Sequence, residues 1–188
     1  VGVEQGEDSS TAPLNSSLIG SAYLPAPVSG SAAVGSTANS IVMTLAESKF
    51  LLAEMAVRYP SVMSSFSAQS LFEAGIQASF DSLGAGSATS YITAINATTD
   101  GRSWTGNSNK IEPIMYQKWI ATMHINAQES WIDYVRTGFP VTPLAITNGG
   151  VGKPKRLLYP FSEYVANSQN VPTQQTSAAF ATGPFWIN

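Results

Sequence analysis

The chain predicts a mainly α fold with long irregular loops, and three observations predict it. Two central stretches carry apolar residues at helical spacing behind capping residues. A longer helical run ends in a complete stop signal, Trp131-Ile-Asp-Tyr-Val-Arg136-Thr-Gly138-Phe-Pro140. From Phe139 onward proline, glycine, asparagine and short apolar pairs alternate without a period, and a single short strand or hairpin is expected, near Arg156–Tyr159.

The helices follow in order. Thr44-x-x-Glu47 reads as a capping box, and Leu45, Leu51, Leu52, Met55 and Ala56 follow at near-helical spacing until Tyr59-Pro60 ends the run. Ser67 caps a second helix from about Ala68 to Leu83, where Phe72, Ile76, Phe80 and Leu83 form the apolar stripe and Gly84 the stop. These two, similar in length and joined by a short turn, make a helix pair of tetratricopeptide-like kind, although the repeat's Trp-Leu-Gly-Tyr pattern is absent. A short third helix is expected over Ala88–Ala97, with Tyr91, Ile92 and Ile95 on one face. The longest signal runs from Asn109 to Thr137, with Pro113 in its first turn and a bend or break into two helices at His124-Ile-Asn126. At its end Arg136 suits the negative helix terminus, Gly138 supplies the left-handed stop and Pro140 prevents resumption.

Composition narrows the function. Charged residues make up 11% of the 188, against about 25% for an ordinary soluble domain, and the formal charge is −3, so no nucleic-acid partner is expected. Cysteine is absent, which removes disulfides, a thiolate nucleophile, cysteine-ligated metals and an acylated cysteine within this chain. No apolar run approaches the roughly 18–20 residues of a membrane span. Residues 1–40 read as a loop-rich lead-in and 41–188 as a helical region with an irregular tail over 139–188. Such a lead-in, opening on Val1, is expected of a mature form or a piece of a longer protein.

Candidate chemistry is sparse. Glu47 and Glu54 lie seven apart on one helix face, but capping for Glu47 and an i,i+4 bond from Arg58 for Glu54 are the preferred readings over acid–base work. His124, the only histidine, sits between Met123 and Ile125 with no Gly-x-Ser-x-Gly elbow anywhere, so neither a triad nor a metal site is expected. Trp119 and Trp131 are expected to pack in the core, and Arg136 to meet a carboxylate or the tail's carbonyls. Asn15-Ser-Ser and Asn96-Ala-Thr match the glycosylation sequon, a triplet frequent by chance. Trp104, within Gly101-Arg102-Ser-Trp104-Thr-Gly-Asn107, stands apart. A tryptophan among small polar residues offers a flat face to a sugar ring, with Arg102 and Asn107 supplying hydrogen bonds. The alternative is a ring folded back on its own loop or packed on other chain.

The stretch Glu129-Ser-Trp131-Ile-Asp-Tyr134-Val-Arg136-Thr137-Gly138-Phe139-Pro140 resembles the Glu-x-Trp-x-x-Tyr-Arg-Arg-Thr-Gly-Tyr-Pro signature of SusD/RagB-like nutrient-uptake lipoproteins. Val135 and Phe139 are mild departures from it. Three further segments agree in order: Met43–Glu54, Ile114–Ala121, and the closing Arg156-Leu-Leu-Tyr-Pro160 with Glu163, Tyr164, Asn167 and Asn170. The likeness therefore spans about residues 41 to 171.

The resemblance implies the C-terminal part of a SusD-like protein, mostly helical, with tetratricopeptide-like pairs supporting a loop-rich binding region. It implies a place on the outer face of the outer membrane of Bacteroidetes-type bacteria, through a lipid anchor absent from this chain. The implied partners are a SusC-like TonB-dependent transporter and an oligosaccharide or peptide ligand. The implied work is capture without cleavage, with no cofactor. No ligand residue carries over from the family, so Trp104, Arg102 and Asn107 remain candidates on local chemistry alone. Two other classes stand beside this one: an interaction scaffold built on the helix pair, and a secreted hydrolase using Glu47 or Glu54 with Asp133.

Overall fold

The computed structural model describes residues 5–7, 40–148 and 151–187. Within these the chain is helical, with no strand. The described residues form two compact units, one of 40–141 and one that joins 5–7 to 142–148 and 151–187. The sequon at Asn15 and most of the expected lead-in lie outside the described residues.

The larger unit holds five helices: α1 (Leu45–Arg58), α2 (Ala68–Ser82), α3 (Thr89–Asn96), α4 (Ile111–Thr122) and α5 (Ala127–Thr137). Their ends follow local chemistry. Thr44 Oγ1 accepts from the Glu47 N–H at 3.1 Å, and Ser67 Oγ accepts from the Ser70 N–H at 3.2 Å. The long run breaks in two at 123–126, where the Ile125 and Asn126 N–H groups turn back onto the Thr122 carbonyl. His124 sits exposed in this break. Gly138 stops α5 at φ +77°, its N–H bonding the Tyr134 carbonyl at 2.7 Å, and the Phe139–Pro140 peptide that follows is cis.

The α1–α2 pair is tetratricopeptide-like, and α4 packs across it. Phe50, Phe72, Ile76, Ile114 and Met115 are fully buried at the centre, and burial of each such side chain stabilises by about 1.5–3 kcal/mol. Phe50 and Phe72 meet edge to face, with centroids 6.2 Å apart.

The buried face of α1 differs from the one its leucines suggest. Leu45 is 65% exposed, and Leu51 and Met55 also face outward, while Ala46, Glu47, Phe50, Ala53, Glu54 and Ala56 face in. The alanines let neighbouring helices approach closely, and Glu54 is drawn inward by charge. Trp119 and Trp131, expected in the core, are half-buried, Trp119 standing edge-on to Tyr116 at 5.8 Å.

A chain of ion pairs ties α1, α4 and α5 together. Arg136 grips Glu54 with both ends of its guanidinium, Nη1 to Oε1 at 2.5 Å and Nη2 to Oε2 at 2.9 Å. Arg58 adds a bond to the same Oε1 at 2.7 Å. Arg136 Nη2 also reaches Asp133 Oδ1 at 2.8 Å. Lys118, fully buried, holds Asp133 Oδ2 at 2.8 Å, the one group that answers this oxygen among the described residues. Close by, the Thr122 and Ser130 hydroxyls bond at 2.7 Å, Thr122 also donating to the Lys118 carbonyl at 2.8 Å.

The second unit is built around short elements. The Ile146 N–H bonds the Gln5 carbonyl at 2.9 Å, and a single 3-10 turn covers Ile146–Asn148. Two short helices follow, α6 (Phe161–Ala166) and α7 (Ala178–Ala181). The strand expected near Arg156–Tyr159 is not formed; the chain there makes single contacts, the Lys155 N–H to the Ala179 carbonyl at 2.8 Å and Arg156 Nε to the Thr182 carbonyl at 3.0 Å. Glu163, Asn167 and Asn170 form a relay, Asn167 Nδ2 donating to Glu163 at 3.2 Å and Asn170 Nδ2 to Asn167 Oδ1 at 2.8 Å.

Two outcomes follow. A Cβ at Gly138 meets nothing within 4 Å, so Gly138→Ala carries only the left-handed backbone penalty, and urea denaturation is expected to show a loss of about 1–2 kcal/mol. Removing a charge is costlier. Glu54→Gln leaves Arg136 without its bidentate partner and is expected to cost about 3 kcal/mol, less than a fully buried pair because the guanidinium is partly exposed. Burial pushes the Glu54 carboxyl up, but hydrogen bonds from Arg136 and Arg58 outweigh it and hold it below 4.5. The folded value being the lower one, this stabilisation is complete above about pH 4.5 and lost as pH falls through the folded-state value. Denaturation midpoints down an acid series should fall less steeply in Glu54→Gln than in the native chain.

Candidate ligand-binding loop

The loop between α3 and α4, residues 97–110, holds all three residues singled out for ligand contact. Its shape is set by side chains bonding to backbone. Asn96, the last residue of α3, accepts on Oδ1 from the N–H groups of Trp104 at 3.0 Å and Thr105 at 3.4 Å. Its own carbonyl accepts from Thr105 Oγ1 at 2.8 Å. The Asn96 sequon amide is thus a loop clamp. Ser103, fully buried, accepts from the Gly106 N–H at 2.9 Å. Gly106 is required there, because a Cβ would lie 2.6 Å from the Thr98 carbonyl oxygen.

Trp104 is only 7% exposed and belongs to the core. Its ring meets Phe72 with centroids 5.0 Å apart, and the Lys110 ammonium stands 5.4 Å from the ring centroid. Lys110 Nζ also donates to the Trp104 and Asn107 carbonyls, each at 2.5 Å, closing the loop like a latch. The ring faces inward, as in the folded-back alternative, and its part in the loop is to fix the backbone on which the polar groups stand.

Arg102 and Asn107 stand differently. Asp100 Oδ1 accepts from the Arg102 N–H at 2.9 Å, an Asx turn, and the Arg102 guanidinium returns to the carboxylate, Nη2 to Oδ2 at 2.6 Å and Nε to Oδ1 at 3.1 Å. The pair is exposed, 38% for Arg102 and 44% for Asp100. The Arg102 hydrogen bond holds the Asp100 carboxyl down at about 2, so both groups stay charged at any ordinary pH. Asn107 Nδ2 turns inward, donating to the carbonyls of Asp100 at 2.9 Å and Ser103 at 3.1 Å. It braces the segment that carries the Arg102–Asp100 pair.

Asp100 and Lys110 complete the loop although neither was singled out in the sequence. Asp100-Gly-Arg102 spells an Asx turn and was legible; Lys110 closes back on Trp104 over six residues, with no motif to announce it. Elsewhere, Glu47, Glu54 and Asp133 are buried, and among the described residues no three His, Asp or Glu side chains gather as a metal site.

The family model for SusD-like proteins, described as starch-binding and associating with the outer membrane, matches residues 1–160. The chain belongs to this family. No curated protein and no solved structure matches it. The SusD-like match brackets both features described above, the ion-pair chain and the latched loop. Among the described residues no helix is long and apolar enough to cross a membrane.

The loop's parts are expected to separate on mutation. Trp104→Ala removes a core ring and is expected to cost about 3–5 kcal/mol in chemical denaturation. Arg102→Ala alters an exposed pair and should stay within about 0.5 kcal/mol of the native chain, which makes it the clean probe of ligand contact.

Proposed function

We propose that this SusD-like chain captures oligosaccharide at the bacterial cell surface and passes it to a SusC-like TonB-dependent transporter, held at the outer membrane by a lipid anchor. We place the glycan contact on the 97–110 loop, with Arg102 and Asp100 meeting sugar hydroxyls and Trp104 and Asn107 holding the loop in shape. The observation that carries the reading is the family match over residues 1–160, whose description is starch binding at the outer membrane. The loop assignment rests on the exposed Arg102–Asp100 pair. A planar donor fork beside a carboxylate offers adjacent donors and acceptors, which suits the neighbouring hydroxyls of a sugar ring. Glycan is favoured over peptide because the family description names starch.

The ion pairs weigh against hydrolysis. A general acid must carry a proton near neutral pH, and Glu54 is held ionised by two guanidiniums. Asp133 is committed to Arg136 and Lys118. Neither carboxylate is placed to protonate a leaving group.

Titration calorimetry with maltooligosaccharides tests the proposal. Saturable binding is expected, with Kd raised about tenfold, roughly 1.4 kcal/mol, in Arg102→Ala. Affinity should hold steady from neutral pH to about pH 4, because Asp100 titrates near 2. No glycan binding, together with intact co-purification of a large β-barrel protein, would leave the scaffold reading in its place. Glycan binding unchanged in Arg102→Ala would move the contact off this loop.

A further inference from the structure

A cavity of about 130 Å³ lies among α1, α2, α3 and α4, away from the 97–110 loop. Phe50, Ile76 and Gln117 are its buried lining, and Ser79, Phe80, Tyr91 and Ile120, all half-buried, form its rim, so it is reached from solvent. We infer that this cavity is a second binding site, which takes a small aromatic molecule bearing one hydroxyl, a phenol.

Three features carry the inference. The first is that the space is held open. Phe50 is drawn against the backbone of α2 at Gly75, where even a Cβ would stand 2.7 Å from the ring. With Phe50 seated there, the space beside it stays unfilled.

The second is the polar group in the lining. Gln117 is 3% exposed, and among the described residues the Tyr91 hydroxyl is the partner of both ends of its amide, 3.2 Å from Oε1 and 3.0 Å from Nε2. An amide has two N–H donors and two acceptor lone pairs, so one hydroxyl leaves capacity unspent. A buried amide in that condition favours one further hydroxyl at the cavity wall.

The third is size and surface. An apolar cavity of about 150 Å³ admits benzene. Here the aromatic lining of Phe50, Phe80 and Tyr91 suits a ring edge or face, Phe80 and Tyr91 themselves meeting at 5.5 Å. A pyranose is a poor fit, because most of its hydroxyls would be desolvated against phenyl and isoleucine side chains with no partner. The site is therefore distinct in chemistry from the glycan contact.

The test is a titration of the full chain with p-cresol, toluene and glucose, followed by methyl resonances of Ile76 and Ile120. Saturable shifts are expected with p-cresol, weaker ones by roughly fivefold with toluene, which lacks the hydroxyl, and none with glucose. Ser79→Leu fills the cavity from its rim and should weaken p-cresol by at least about tenfold. Ile120→Phe does the same from α4 and serves if the first variant folds poorly. Gln117→Leu should abolish the preference for p-cresol over toluene. Absence of saturable p-cresol shifts in the native chain overturns the proposal, as does binding that survives both filling variants or a preference that survives Gln117→Leu.

Discussion

The Glu54 carboxylate and the Arg136 guanidinium stand 82 residues apart in the chain and meet through two parallel hydrogen bonds. Most of the helical unit depends on that meeting. Two carboxylates buried without partners would be far too costly to desolvate, and here three cations answer them. The arrangement needs α1, α4 and α5 in place together, because Glu54, Lys118 and Asp133 come from different helices. Apolar packing around Phe50 and Phe72 supplies bulk stabilisation, but it is tolerant of sliding. A bidentate fork is not, and it sets which face of α1 turns inward.

That rigid frame explains how a loop rich in glycine, serine and asparagine keeps one shape. Trp104 is plugged into the frame against Phe72, and Lys110 latches the loop's two limbs at the Trp104 and Asn107 carbonyls. The outer surface then carries Asp100 and Arg102 among small neighbours such as Thr99, Thr105 and Ser108. On the proposed reading, a surface already held in one shape would meet a hydroxyl-rich ligand without reorganising, which keeps the ordering cost of binding low.

Much of the larger unit was legible in the sequence because its signals are local. Thr44, Ser67 and Gly138 cap or stop helices through bonds to residues three or four positions away. The resemblance of the Trp131–Pro140 stretch to the SusD/RagB-like signature fits the family match. The buried face of α1 was not legible, since what draws Glu54 inward is an arginine 82 residues on. Trp104 was ambiguous for the same reason: whether its ring faces water is decided by Phe72 on another helix. In the tail, α6 is six residues long, too short for a hydrophobic period, and its Glu163–Asn167 bond shows only once the helix is formed.

The break between α4 and α5 has a consequence beyond its local geometry. It places Asp133 where Lys118 of α4 reaches it, and Arg136, one turn further along α5, where it meets Glu54 of α1. Each residue advances a helix by roughly 100° around its axis. The turn at 123–126 therefore acts as a phase setting, converting a count of residues into an angular position for every side chain on α5. The turn is shaped by backbone bonds, the Met123 N–H to the Trp119 carbonyl and the Ile125 and Asn126 N–H groups to the Thr122 carbonyl. A change in its length by one residue would swing Asp133 off Lys118 and Arg136 off Glu54 at once, while leaving the Asp133–Arg136 pair within α5 intact.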